Sequence, residues 1–177
     1  MKFKQFNFKK VKSTNQTAIR IIKKNNHDFG IIISETQTGG RGKYGRKWIS
    51  SKGNVFLSFF FKLNKINFSM ETLTKKNCLL VKGVVSNFYG KKITFKKLND
   101  LLIDGKKICG ILQEKIKKLD KDFLIVGIGF NLVKNPTIPN YPTTNLYKIT
   151  NKKIDKSKFI ELLKKNFEKF LSKYYKN

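Results

Sequence analysis

Cysteine is nearly absent from this chain, and the two that occur, Cys78 and Cys109, belong to no C-x-x-C pair and stand far from the single histidine, His27. Neither a disulfide framework nor a zinc site is indicated, and both thiols are expected to be reduced and partly buried. Long apolar runs are missing too. The richest, residues 55–61, falls well short of the roughly 20 residues that cross a bilayer. The N-terminus, M-K-F-K-Q-F-N-F-K-K, alternates apolar and polar residues and contains no signal-peptide apolar core, so a soluble cytoplasmic protein is expected. Acidic residues are few, eleven against thirty-nine Lys and Arg, for a formal net charge of +28. Taken alone, that excess points to nucleic acid or another anionic surface. Most of it is lysine spread along the whole chain, however, beside abundant Asn, Ile and Phe, which reads equally as a solvated lysine surface.

At 177 residues with 40% hydrophobic content, the chain suits a single domain with a sizeable core. Its most informative stretch runs from Glu35 to the only tryptophan, Trp48: E-T-Q-T-G-G-R-G-K-Y-G-R-K-W. Glycines at 39, 40, 42 and 45 are expected to let the backbone turn through positive φ and approach a ligand closely. Arg41, Lys43, Arg46 and Lys47 supply charge, the arginines with a planar fork that can grip a carboxylate or phosphate bidentately. The loop therefore predicts anion chemistry.

Gly40, Gly42 and Gly45 literally satisfy G-x-G-x-x-G, but the dinucleotide fingerprint needs a helix opening at the glycines. Residues 46–53 are polar and lead instead into the strand-like Val55-Phe56-Leu57. A kinase loop also precedes a strand, yet there is no H-R-D and no D-F-G. A P-loop fails because Arg46 and Lys47 stand where Lys and Ser/Thr are required.

Around this loop the pattern predicts alternating elements. Phe3, Phe6 and Phe8 mark a first strand, and Ser13-Thr14-Asn15-Gln16 reads as a capping box opening a helix with Ala18, Ile19, Ile21 and Ile22 on its apolar side. Residues 29–34 and 55–62 read as strands, and 69–89 as a helix with Gly90 as its C-cap. Residues 93–97 return to strand. Asp104-Gly105 predicts a hairpin between 100–104 and 106–117. A further strand, 122–132, carries Gly127 and Gly129, which leave room for a bulge, for close packing or for a ligand. A proline-bearing loop (Pro136, Pro139, Pro142) precedes a last helix over 157–175.

With these pieces in order, the chain resembles the catalytic domain of biotin protein ligases. Ser13-Thr14-Asn15 resembles the family's S-T-N, and Glu35 to Trp48 its G-R-G-x-x-G-R-x-W loop. Lys107 to Leu112 is similar to K-x-x-G-I-L, Lys96 to Asp100 falls where K-W-P-N-D belongs, and Gly127 to Asn131 where G-x-G-x-N belongs. The resemblance covers nearly all 177 residues. It implies an α+β domain, a mixed and largely antiparallel sheet flanked by helices, in the class II synthetase-like biotin/lipoate ligase fold. It also implies a reaction: biotin and ATP with Mg2+ form biotinyl-5′-adenylate, and a lysine of a biotin carboxyl carrier protein then attacks it.

Roles follow from the resemblance by position. Ser13, Thr14, Asn15 and Gln37 would meet the biotin head group, with the backbone at Gly40, Arg41 and Gly42 closing over it; for Ser13, helix capping is the competing reading. Arg41 and Lys43 would sit at the biotin carboxylate and α-phosphate, and Arg46 would reach phosphate. Trp48 would border the nucleotide, or else serve as a buried structural residue. Lys96 would bridge carboxylate and phosphate, flanked by Asn99 on the nucleotide side. Asn131 would contact adenine or ribose, and Lys107 and Gly110 would line the pocket. Metal ligands are not assigned.

Several departures qualify these roles. Lys97 and Leu98 replace the usual Trp-Pro, which leaves Lys96 and Lys97 both open as the functional lysine. Lys43 stands where an arginine often helps retain the adenylate, so an intermediate that leaks is expected. Neither a helix-turn-helix DNA-binding domain before Met1 nor a C-terminal SH3-like domain is read in 1–177. By analogy, an exposed sheet edge could support a homodimer. The competing functions are a lipoate or octanoate ligase on the same scaffold and, from another class, a basic nucleic-acid-binding module.

Overall fold

The structure is a computed structural model that describes residues 1–96 and 99–175. Lys97, the alternative functional lysine, and Leu98 lie outside the described residues. Seven strands form one sheet: β1 (Lys4–Val11), β2 (Phe29–Gln37), β3 (Val55–Lys62), β4 (Ile93–Lys96), β5 (Asp100–Ile103), β6 (Lys106–Lys118) and β7 (Lys121–Phe130). Their order is β1-β2-β3-β7-β6-β5-β4. Only β1 and β2 run parallel, joined by the crossover helix α1 (Thr14–Lys24); the other neighbours are antiparallel. The mixed, largely antiparallel sheet expected from the sequence is therefore present.

Burial on both faces of β3 explains its unbroken apolar run. Phe59 and Phe61 face the side covered by α2 (Met70–Val85) and α4 (Lys156–Ser172), whereas Phe60 faces α1 with Ala18, Ile22, Ile32 and Ile125. Successive strand residues point to opposite faces, so three consecutive phenylalanines can all be buried only between two layers. Phe59 stacks on Phe167 of α4 at 4.1 Å between ring centroids, and each such side chain contributes about 1.5–3 kcal/mol by leaving water.

Local signals were met unevenly. Asp104 and Gly105 both take positive φ, 48° and 72°, the conformation a two-residue type I′ hairpin demands. Ser13 is the N-cap of α1 but its side chain makes no capping bond, so the expected capping box does not form. Helix α2 ends at Ser86 rather than Gly90, unwinding through Asn87 N–H to Val84 O and Phe88 N–H to Val85 O; Gly90 is not a left-handed cap. A short helix, α3 (Leu146–Thr150), was not anticipated; Asn145 caps it by accepting from Lys148 N–H. Cys78 and Cys109 are both fully buried rather than partly so.

Candidate active site

The cavity arises where β6 and β7 run on past the start of α1. Side chains two apart on a strand share a face, and on the α1 face this pair of strands presents Gly110, Leu112, Gly127 and Gly129. Gly127 pairs with Leu112 and Gly129 with Gly110, so the two glycine steps lie about 7 Å apart along the ladder. Each admits a side chain from elsewhere. A Cβ on Gly127 would fall 2.2 Å from Asn15 Oδ1; one on Gly129 would fall 2.3 Å from Trp48 Cε2, and one on Gly110 2.7 Å from Trp48 Cζ3. The missing side chains thus serve packing, and no bulge interrupts the β6/β7 register at them.

Above these steps lies a cavity of about 660 Å³, within the usual range for a small-molecule site. Its wall includes Ser13, Thr14, Asn15, Gln37, Arg41, Gly42, Lys43, Arg46, Trp48, Lys96, Asn99, Lys107, Gly110 and Asn131. Among the described residues, every one given a ligand contact by the resemblance therefore borders it except Gly40. At Gly40 the constraint is internal to the loop, because a Cβ there would stand 2.5 Å from the Trp48 carbonyl. The loop also differs in backbone from expectation. Of its glycines only Gly45 takes positive φ, 72°, and it is the tyrosine beside it, Tyr44, that joins it in the left-handed region. Gly42 is extended.

One part of the cavity wall is a network of polar side chains around Asn15, bordered by an ion pair. Gln37 Oε1 accepts from the Thr14 N–H at 2.8 Å, and Gln37 Nε2 donates to Ser50 Oγ. Ser58 donates to Asn15 Oδ1 at 2.6 Å, and Asn15 Nδ2 donates to Leu112 O and to Glu114 Oε2 at 2.7 Å. The Arg41 guanidinium pairs with the same Glu114 oxygen. Ser13, Thr14 and Asn15 are each almost fully buried, and Ser13 keeps its hydroxyl out of helix capping.

Another part is aromatic and cationic. Lys107 Nζ lies 5.3 Å from the Trp48 ring centroid and 5.4 Å from that of Tyr141, and it is paired with Asp100 at 2.9 Å. The Lys96 ammonium sits 4.7 Å over the opposite partner of that slot, the Tyr141 ring. The Tyr141 hydroxyl donates to Asp100 Oδ2 at 2.7 Å. Buried polar atoms without a partner in the protein include Arg41 Nε, Trp48 Nε1 and Asn131 Oδ1, all on residues of the cavity wall. Unpaired buried polar groups are costly, so a wall that carries two donors and an acceptor unmatched is built for a polar occupant.

Charge is concentrated in one place. Arg41, Lys43, Arg46, Lys47, Lys96 and Lys107 border the cavity, and Asp100 is the one carboxylate among the described residues of the wall. Among the described residues no three His, Cys, Asp or Glu side chains gather as a metal site.

Sequence reasoning missed Tyr141, the partner role of Asp100, and Glu114. Tyr141 sits in the proline-bearing loop, where no motif marks it. Glu114 follows the K-x-x-G-I-L segment on β6, and its alternation with Leu112 was a usable signal. Burial pushes the Tyr141 phenol up to about 12, helped by its bond to Asp100 and the charge there, and opposed by Arg46. Burial likewise raises Tyr175 to about 12. A raised folded-state value favours the neutral phenol, so this contribution to stability is complete below about pH 10 and is lost as pH climbs towards 12. In an alkaline titration of tyrosinate absorbance, Tyr141→Phe is expected to remove part of the latest step and leave the earlier ones; loss from the early phase instead would contradict the Asp100 contact.

Residues 7–131 match the biotin/lipoate A/B protein ligase family. The bifunctional ligase/repressor BirA of Bacillus subtilis (strain 168) is 30% identical over 165 residues, which cover 89% of this chain and 50% of that protein. The chain thus spans about half the length of the curated relatives it matches. Biotin protein ligase from Aquifex aeolicus, solved in complex with biotin and ATP, superimposes with a TM-score of 0.80 at 29% identity, covering 96% of this chain and 71% of that one. Biotin protein ligase from Leishmania major, solved with biotinyl-5-AMP, gives 0.81 at 22% identity over 97% and 76% of the two chains, a likeness of fold. No helix among the described residues is long and apolar enough to cross a membrane. With a family match over most of its length and a fold that superimposes on the Aquifex aeolicus ligase, the chain belongs to the biotin/lipoate A/B protein ligase family.

Proposed function

We propose that this chain is the catalytic unit of a biotin protein ligase, acting in the cytoplasm, which activates biotin with MgATP and passes it to a lysine of a biotin carboxyl carrier domain. The observation that carries the reading is the convergence of six cationic side chains on one cavity that is also lined by the polar Ser13, Thr14, Asn15 and Gln37. The similar Aquifex aeolicus enzyme holds biotin and ATP.

In the first step a biotin carboxylate oxygen attacks the α-phosphorus, and the bond from that phosphorus to the bridging oxygen breaks as pyrophosphate leaves. Both reactants are anionic, so the barrier is largely electrostatic, and cations fixed in advance lower it. Thr14, Asn15 and Gln37 hold the head group. Lys43 and Lys96 meet the carboxylate and α-phosphate, Arg46 the outer phosphates, and Trp48 and Asn131 the nucleoside. Mg2+ enters with the nucleotide as part of the substrate. In the second step the carrier amine attacks the acyl carbon, AMP departs with the bonding pair, and the amine sheds a proton.

The test is purified protein with biotin, MgATP and a carrier domain, read by streptavidin blot, beside the same mixture with lipoate, read by the mass of the carrier. Biotin-dependent labelling supports the reading. Labelling by lipoate alone assigns the scaffold to the other branch of the family, and labelling by neither overturns it.

A further inference from the structure

Glu114 stands outside the cavity wall yet touches two residues that form it. Its carboxylate accepts from Asn15 Nδ2 at 2.7 Å and pairs with the Arg41 guanidinium. Asn15 is held in turn by Ser58 on β3 and the Leu112 carbonyl on β6. The chain of bonds Ser58, Asn15, Glu114, Arg41 therefore ties the glycine loop to three framework elements. Glu114 itself is seated mid-strand on β6, paired with Ile125 of β7, so it cannot shift without the sheet. At its two ends the loop is held by Thr38 N–H to Val11 O, Gly39 N–H to Lys12 O and the Trp48 ring against Gly110 and Gly129, but its middle has little else to fix it. Tyr44, Gly45, Arg46 and Lys47 are exposed, and the bonds recorded for its backbone are mostly internal to it, Gly42 to Arg46 and Trp48 to Gly40.

We propose that Glu114 is a positioning residue, resting on the functional reading above: it anchors Arg41 so that the loop stays folded over the head-group end of the cavity and the bound acyl group is retained. A guanidinium already holding one carboxylate is oriented rather than spent. Its Nε remains buried and unmatched, a donor kept for the occupant. Arg41 then acts less as the counter-charge of the substrate carboxylate than as the hinge pin of the loop, and that counter-charge falls to Lys43 and Lys96, which carry no ion pair among the described residues.

Glu114→Gln keeps the shape and an acceptor for Asn15 but removes the charge that holds Arg41. The first readout needs no substrate: limited trypsin digestion followed by mass spectrometry, beside a melting curve. Cleavage after Arg41, Lys43, Arg46 and Lys47 is expected to quicken roughly five- to tenfold, the range of a modest side-chain coupling, at a near-constant melting temperature. On an Arg41→Ala background the same change should add nothing, because the anchor then has no partner. The second readout is biotin titration and adenylate release, in which the dissociation constant and release rate should rise together while kcat changes little. Unaltered loop cleavage in Glu114→Gln, or an equal increment on both backgrounds, overturns the anchor. Wild-type protein that binds no biotin, with the cleavage result intact, would leave the anchor standing and remove the function assigned to it.

Discussion

Lys96→Ala is expected to slow formation of the adenylate by about 10²–10³-fold, the usual cost of deleting a group aimed at developing charge, with a loss of stability of no more than about 1 kcal/mol. The second half of that expectation comes from its surroundings. Lys96 is exposed, at the last position of the short edge strand β4, and its recorded contact is with the face of the Tyr141 ring at 4.7 Å. An exposed cation resting on such a ring contributes roughly 0.5–1 kcal/mol, so its removal barely disturbs the fold. Lysine also suits a position where the charge must follow a carboxylate into a mixed anhydride, because its stem is flexible and its ammonium compact. Pyrophosphate release, measured with saturating biotin and ATP, checks the rate. Lys96→Arg should keep part of it by keeping the charge. A wild-type rate in Lys96→Ala would move the role to the adjoining Lys97.

Gly129→Val is expected to expel Trp48 from its seat on β7. The indole lies where any Cβ at Gly129 would be, at 2.3 Å, and its edge also rests on Gly110. Backbone cannot yield there, since Gly129 is paired on both sides, with Phe56 of β3 and Gly110 of β6. Overpacking of this kind costs about 1–3 kcal/mol. If the ring gives way, the part of the cavity proposed for the nucleotide loses a wall, and ATP binding is expected to weaken by about tenfold or more, a loss of at least about 1.4 kcal/mol. Trp48 is the only tryptophan, so intrinsic fluorescence reports it directly: emission should shift to the red in the variant. Unchanged emission with unchanged ATP affinity would mean that the ring neither sits on Gly129 nor borders the nucleotide.

What could be read from sequence was what local chemistry decides. The Asp104-Gly105 hairpin, the phenylalanine run of β3 and the apolar face of α4 follow from turn geometry and burial alone, and they were legible. The loop glycines were legible as a site but not as a conformation. Only Gly45 uses its freedom to take positive φ; at Gly40 the demand is room for the Trp48 carbonyl as the loop closes on itself, which spacing alone does not show. Ser13 looked like a cap because S-x-x-Q spacing favours one, but burial beside the cavity directs its hydroxyl elsewhere. Glu114 and Tyr141 escaped for a related reason. Their meaning lies in Arg41, seventy-three positions away from the first, and Asp100, forty-one from the second, and such pairings exist only after the sheet has closed.

The cavity wall draws on segments from Ser13 to Thr143, and its two glycine steps lie on strands that also floor the main hydrophobic core. An occupant would therefore bear on the sheet itself as well as on the glycine loop. Its arrival should be felt as slower amide exchange in β7 and in its neighbour β3, since the openings that expose those amides would first have to release what they enclose.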